Sequence, residues 1–302
     1  MERGRFAPTP SGPLHFGSMM TALASWLFAK SAGGEWLVRI EDLDAPRAIE
    51  GCAEDQLAAL AAFGLRPDGE VVRQSRREAL YDALFGRLAA DGRVYPCRCS
   101  RREVRTAASA PHGAEPRYPG TCRNAAVAPS EARSWRFRVD DGTVEFADAV
   151  FGAVRQDVAA EVGDFVVRRE GPVAAYAYQF AVVADDGDQR ITQVVRGADL
   201  LDSTARQILL GRALGFREPR WAHVPILVSA QGGEKLSKRA GSRALADAVA
   251  RGDVDAIRGS LLRTLGQRPG LDEARRTFDP AAIPRRREIP LRPYFGEEAA
   301  ST

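Results

Sequence analysis

Lysine is nearly absent from this chain. Of its 43 basic residues only Lys30, Lys235 and Lys238 are lysines, so positive charge is carried almost wholly by planar guanidinium forks rather than ammonium points. Long apolar runs are missing too. The start, "MERGRFAPTP", has no hydrophobic h-region and argues against a secretory signal. The most apolar stretch, Met19 to Ala29, is too short to span a bilayer. A soluble cytoplasmic protein is expected. Cysteine is sparse, with Cys52, Cys97, Cys99 and Cys122, which in a reducing compartment are free thiols or metal ligands rather than disulfides. No internal repeat or long low-complexity segment is present.

What remains is ordinary globular composition: 302 residues, 45% hydrophobic and 27% charged, enough for two or three domains or one large α/β unit with insertions. The net charge of +3 is mildly basic, compatible with a nucleic-acid partner without demonstrating one.

"RFAPTPSGPLHFGS" reads as a short strand entering a Gly/Pro/Ser loop, and "GSMMTALASWLFAKSAGG" as a helix stopped by Gly33-Gly34. "EWLVRIED" is a strand, followed by two amphipathic helices that end at glycines. Strand and helix in alternation predict a parallel sheet. From 96 to 135 periodicity fades. Between 135 and 183, "SWRFRVDDGTVEFAD", "GAVRQDV", "DFVVRREG" and "AAYAYQFAVVADD" read as short antiparallel strands, with turns at Asp141-Gly142 and Glu170-Gly171. The strand–helix pattern resumes at "RITQVVRGADLLDSTARQILLGRALG", "WAHVPILV" reads as one strand, and helices and a Pro/Arg-rich tail follow Ala240.

A strand feeding a glycine loop at a helix N-terminus offers orphan N–H groups and a helix dipole to an anion. His15 and Gly17 lie in that mouth. Far downstream, "KLSKR" holds two of the three lysines in a Gly/Ser setting. Together these suit adenylyl transfer, in which an already ionised carboxylate attacks the α-phosphate of ATP and the site supplies alignment and positive charge.

"PSGPLHFGS" and "KLSKR" resemble the two signatures of class I aminoacyl-tRNA synthetases in the glutamyl-tRNA synthetase branch, as do "RFAPTPSG", "RIEDLDAPR" and "VVRGADLLDST", in order along residues 5–240. The first signature commonly closes with a second histidine; here Ser18 stands in that place. The resemblance implies His15, Lys235 and Lys238 as catalytic residues, with ATP also on Gly17 and Ser18 and contacted by Lys238. Glutamate carries two carboxylates and one ammonium, so its pocket calls for arginines and a buried acid. The family places Arg5, Phe6, Ala7, Pro8, Thr9, Glu41, Tyr178 and Arg196 around it: Glu41 on the amino group, Arg5 with Tyr178 on the side-chain carboxylate, Arg196 on the α-carboxylate. Without the family, Arg39 and Glu41 would read as a surface salt bridge.

Cys97, Cys99 and Cys122 offer three soft ligands for tetrahedral zinc. Chemistry alone favours His112 as the fourth; the resemblance favours Tyr118, by a Cys-x-Cys…Tyr-x-x-x-Cys pattern. The metal is expected to be structural. The implied fold is an α/β, Rossmann-type parallel sheet over 1–95 and 184–240, an inserted zinc-bearing α+β subdomain at 96–183, and a short helical region at 241–302 without an anticodon-binding domain. Such truncation resembles the paralogues of this branch that activate glutamate with ATP and Mg²⁺ in the absence of tRNA and attach it to the queuosine base at the wobble position of tRNA(Asp). On that reading the RNA target is an anticodon stem–loop, the arginines of 98–138 and 285–292 are candidate phosphate contacts, and the protein is a monomer. A minimal glutamyl-tRNA synthetase charging tRNA(Glu) and a non-catalytic RNA-binding paralogue are the rival readings.

Overall fold

The computed structural model describes residues 1–43, 47–107, 117–140, 142–170, 175–228, 245 and 249–290. Its strands in chain order are β1 (Arg3–Phe6), β2 (Glu35–Ile40), β3 (Val72–Arg73), β4 (Val94–Cys97), β5 (Ser134–Phe137), β6 (Thr143–Asp148) and β7 (Gly152–Asp157). They continue as β8 (Phe165–Arg169), β9 (Ala175–Tyr176), β10 (Gln193–Gly197), β11 (Arg220–Val224), β12 (Ile226–Val228) and β13 (Glu288–Pro290). The helices used below are α1 (Phe16–Ser31), α2 (Cys52–Ala62), α3 (Glu78–Ala90), α4 (Arg101–Ala107), α5 (Val158–Glu161), α6 (Tyr178–Asp188), α7 (Thr204–Ala213), α8 (Val254–Thr264) and α9 (Leu271–Arg276).

Seven strands form the main sheet in the order β3-β2-β1-β10-β11-β6-β7. All pairings are parallel except β6–β7. Strands covered on both faces need apolar residues on both faces. Adjacent residues of β10 accordingly feed opposite cores: Val195 joins the core of α1, β2 and α8, and Val194 the core of α3, α6 and α7. Gly4 permits the close approach of α1, since a Cβ there would stand 3.2 Å from the Ala29 Cβ. A second, antiparallel sheet, β4-β5-β8-β9, follows the first half of the main one.

Three expectations change. The β6–β7 hairpin is not part of the inserted sheet; β6 pairs with β11 at Asp148 and Trp221, extending the main sheet. "AAYAYQFAVVADD" is mostly helix α6, only Ala175–Tyr176 remaining strand. A strand would send Asp185 and Asp186 to opposite faces, whereas the helix brings both to one arginine cluster. "WAHVPILV" divides at Pro225 into β11 and β12, and β12 pairs with β13 from the tail. The two turn positions Asp141 and Gly171 lie outside the described residues.

Asp185 fixes α6 to the other half of the sheet. Fully buried, it accepts from Gln74 (2.6 Å), Arg77 (2.7 Å) and the Tyr81 hydroxyl (3.0 Å) and stands 3.4 Å from buried Arg39. Removing one partner of a buried ion pair leaves an uncompensated charge. Asp185→Ala therefore lowers the unfolding free energy by about 3 kcal/mol or more, read from urea denaturation; a loss below about 1 kcal/mol would show that water already screens these charges.

Candidate active site

The carboxyl ends of β1, β2 and β10 and the N-terminus of α1 enclose a cavity of about 520 Å³. The order of strands reverses at β1, with β2 and β3 on one side and β10 and β11 on the other, which is where open α/β sheets bind ligands. Every residue expected from the sequence at the amino-acid and nucleotide sites, apart from the two lysines, lines this one cavity: Arg5 through Thr9, His15, Gly17, Ser18, Glu41, Tyr178 and Arg196. Lys235 and Lys238 lie outside the described residues.

His15 caps α1. Its Nδ1 accepts the backbone N–H of Ser18 at 3.2 Å. Gly17 lets the imidazole lie close over the first turn: a Cβ there would stand 3.1 Å from the ring, so a larger residue would press on His15. The loop ahead of the cap is pinned by Gln56 on α2, whose Nε2 donates to the carbonyls of Thr9 (3.0 Å) and Gly12 (2.7 Å).

Two buried arginines, Arg5 and Arg196, line the cavity, and a third, Arg39, shares Asp186 with Arg5. Arg5 turns its fork onto Asp186, Nε to Oδ1 at 3.0 Å and Nη2 to Oδ2 at 3.2 Å. Arg39 shares the same carboxylate at 2.8 Å and approaches Glu41 at 3.4 Å. The Arg39–Glu41 pair is thus real, but it is buried rather than a surface bridge. Burial pushes Asp186 up, yet Arg5 and Arg39 more than offset this and hold it below the usual carboxylate range. Glu41 shows the opposite balance: burial outweighs Arg39 and Arg5 and raises it to about 7.

Arg196 differs from the other two. Its Nε donates to His223 Nε2 (3.0 Å), Nη1 to Gln207 (2.6 Å), and Nη2 to Thr204 (2.9 Å) and the Leu200 carbonyl (3.3 Å). These partners are neutral, and burial lowers its pKa. It lies near the Tyr178 hydroxyl, whose own pKa burial raises. Among the described residues, the site therefore holds one buried guanidinium whose hydrogen-bonding partners carry no negative charge. Asp185, Asp186, Asp148 and His223 escape the motif reading, because none of them lies in a quoted signature.

In the inserted sheet, Cys97, Cys99 and Cys122 lie with their sulfurs within 4.8 Å of one another. Cys99 and Cys122 are 3.5 Å apart, close to the spacing of about 3.8 Å that two thiolates take on tetrahedral zinc. The Tyr118 hydroxyl stands 3.4 Å from Cys97 and 3.8 Å from Cys99. Burial raises Cys97, but hydrogen bonds from Tyr118 and Arg136 prevail and lower it. Burial and the neighbouring Cys122 push Cys99 up to about 11, and burial raises Tyr118 strongly. Without a cation the cluster holds protons that a bound metal would displace. Three thiols and a phenol fit zinc. His112 lies outside the described residues. Several arginines expected at phosphates are internally engaged: Arg123 with Asp140 and Asp164, Arg136 with Cys97 and the Asp164 carbonyl, Arg287 with Asp202. Among the described residues no helix is long and apolar enough to cross a membrane.

The family described as tRNA synthetases class I (E and Q), catalytic domain, matches residues 2–278. A glutamyl-Q tRNA(Asp) synthetase of Burkholderia mallei is 55% identical over 248 residues, covering 80% of this chain and 82% of the relative. One from Geobacter sulfurreducens is 49% identical over 297 residues, 93% of each. A solved glutamate tRNA ligase of Elizabethkingia meningosepticum, in complex with its amino acid, superposes with a TM-score of 0.78 at 26% identity. That match covers 93% of this chain and 65% of the ligase. A glutamate-tRNA synthetase of Elizabethkingia anophelis gives 0.80 at 26% identity, covering 98% and 68%.

The raised Glu41 carries a stability consequence. Between its ordinary value near 4.5 and about 7, the folded protein holds a proton that the unfolded chain releases, so the contribution of Glu41 falls as pH rises through that window. Glu41→Gln removes the penalty. The variant is expected to be more stable than the parent at pH 8, by on the order of 1–3 kcal/mol, and to lose that advantage at pH 5; an advantage independent of pH in paired melts contradicts this.

Proposed function

The chain belongs to the class I tRNA synthetase family in its glutamate and glutamine (E and Q) branch, and on that premise we propose that it joins L-glutamate to ATP as glutamyl-adenylate without tRNA, then passes the glutamyl group to the queuosine base at the wobble position of tRNA(Asp). It is a ligase-type enzyme. The observation that carries the amino-acid assignment is a single cavity lined by one uncompensated buried guanidinium, a second arginine, a buried glutamate and the nucleotide-type loop of His15. The names of its relatives support the acceptor.

In the first step a carboxylate oxygen of glutamate attacks the α-phosphorus of ATP, the bond to the bridging oxygen breaks, and pyrophosphate leaves. No general base is needed, because the nucleophile is already ionised. Arg196 and Arg5 hold the two carboxylates, Tyr178 assists Arg5, and ionised Glu41 binds the ammonium. His15, the Gly17 N–H and the Ser18 hydroxyl face the phosphates, the Ser18 N–H being taken by His15 Nδ1. Lys235 and Lys238 supply charge for the departing pyrophosphate, a role resting on their motif. In the second step a hydroxyl of the queuosine base attacks the acyl carbon and AMP leaves, giving an ester. ATP arrives as its Mg²⁺ complex.

Cys97, Cys99, Cys122 and Tyr118 hold one structural zinc, which ties α4 and the segment around Tyr118 to β4 where apolar packing is thin. The protein is read as a cytoplasmic monomer, with a catalytic unit over 1–95 and 184–240, an insertion over 96–183 from which the β6–β7 hairpin departs, and a C-terminal region from 241.

Labelled glutamate supplied with ATP and Mg²⁺ should pass to queuosine-bearing tRNA(Asp), giving a base-labile product, and not to queuosine-free tRNA(Asp) or to tRNA(Glu). Charging of tRNA(Glu) instead would make this a minimal glutamyl-tRNA synthetase. Absence of both transfer and glutamate-dependent ATP–pyrophosphate exchange would leave a binding protein. The metal is checked separately: emission spectroscopy should find about one zinc per chain, and Cys122→Ser should lower both zinc content and melting temperature. Protein purified without chelator and free of zinc rejects the site.

A further inference from the structure

Arg196, His223 and Asp148 sit on three consecutive strands of the main sheet, β10, β11 and β6. Arg196 and His223 are direct register partners, and Asp148 closes β6 beside Trp221. All three are buried. Asp148 Oδ2 lies 2.6 Å from His223 Nδ1, while its Oδ1 accepts the backbone N–H groups of Val150 and Phe151 at 2.9 Å each. An ionised carboxylate only accepts, so His223 carries its proton on Nδ1. Its Nε2 lone pair is thereby aimed at the Arg196 Nε–H, 3.0 Å away, with the Thr204 hydroxyl at 3.3 Å.

We propose that Asp148 and His223 are positioning residues for Arg196, orienting its guanidinium toward a ligand carboxylate while keeping its charge uncancelled. The contrast with Arg5 carries the idea. Arg5 is oriented by direct contact with Asp186, which also neutralises it. Arg196 is oriented just as firmly, but the carboxylate stands one imidazole ring away. Of its five N–H groups, one goes to His223, one to Gln207, and two to Thr204 and Leu200. The last Nη1–H lies at the Tyr178 hydroxyl, to which Arg196 is hydrogen-bonded; a ligand carboxylate shares or displaces that neutral hydroxyl and so meets one well-aimed donor carrying a full charge. The tautomer matters: with the proton on Nε2, two donors would oppose each other and the guanidinium would swing.

The inference rests on the glutamate reading, and the test separates the two. Dissociation constants for L-glutamate and for ATP are measured by calorimetry on the full chain at pH 7.5, together with melting temperatures. His223→Asn keeps an amide near Asp148 but loses the acceptor toward Arg196; glutamate binding should weaken about tenfold or more with ATP binding unchanged. His223→Gln restores an acceptor at the Nε2 position and should recover most of that loss. In Asp148→Asn the oxygen stays on the Val150 and Phe151 N–H groups and the amide faces Nδ1, forcing the wrong tautomer; the loss should match that of His223→Asn. Equal weakening toward glutamate and ATP, no weakening in either variant, or no rescue by glutamine overturns the positioning role. A parent chain that binds ATP but not glutamate overturns the pocket reading itself, before any substitution, and this inference falls with it.

Discussion

Three guanidinium groups are buried within one small region at the carboxyl edge of the central strands, and the surrounding structure is arranged to make that tolerable. A lone buried cation costs several kcal/mol. Arg39 is surrounded by Asp185, Asp186 and Glu41, and Arg5 is clasped by Asp186. The two aspartates are neighbours on α6, so this helix supplies negative charge to strands that the chain laid down far earlier. Arg196 receives neutral partners instead. The carboxylates of the cluster therefore sit on Arg5 and Arg39, and none touches Arg196.

Much of the cavity is visible in the sequence because its residues come from contiguous motifs at strand ends. "RFAPTPSGPLHFGS" places a strand, its loop and a helix cap within fourteen residues, and local geometry then brings Arg5, Thr9, His15 and Gly17 to one mouth. Glu41, Tyr178 and Arg196 come from distant segments and needed the family resemblance to be gathered at all. Asp185 and Asp186 are hidden for a different reason. The run "AAYAYQFAVVADD" is apolar on every side, and a fully buried helix and a buried strand look alike in composition. Read as a strand, it separates the two acids that the helix unites. Likewise nothing in "VEFADAVFG" says that its hairpin leaves the inserted sheet for β11, because that choice is made by Trp221 and His223, far along the chain. The cysteine cluster sits between these cases: three ligands are plain from spacing, while the fourth depends on where Tyr118 is folded.

The forks of Arg5 and Arg196 are spent largely inside the protein. A guanidinium that offered its full fork to a carboxylate would bind many anions well. Here each group presents only the edge that its internal partners leave over, so position rather than donor number discriminates. An arginine anchored on several sides cannot follow a ligand of the wrong length. On the proposed glutamate reading, specificity lies in the rigidity of the sheet, which the buried polar contacts behind the cavity maintain.

The pairing of β1 with β10 joins residues separated by about 190 positions, as where Gly4 stands opposite Gln193 and Arg5 opposite Val194. At ribosomal speeds of about 5–20 residues per second, roughly 10–40 s pass between the emergence of these two strands. Throughout that interval β1 and β2 present an unpaired edge, and half of the cavity exists without the other half. Closing so long a loop also slows folding after release. A nascent chain of this protein therefore has a prolonged period of exposed apolar strand, during which the demand for chaperone protection is greatest.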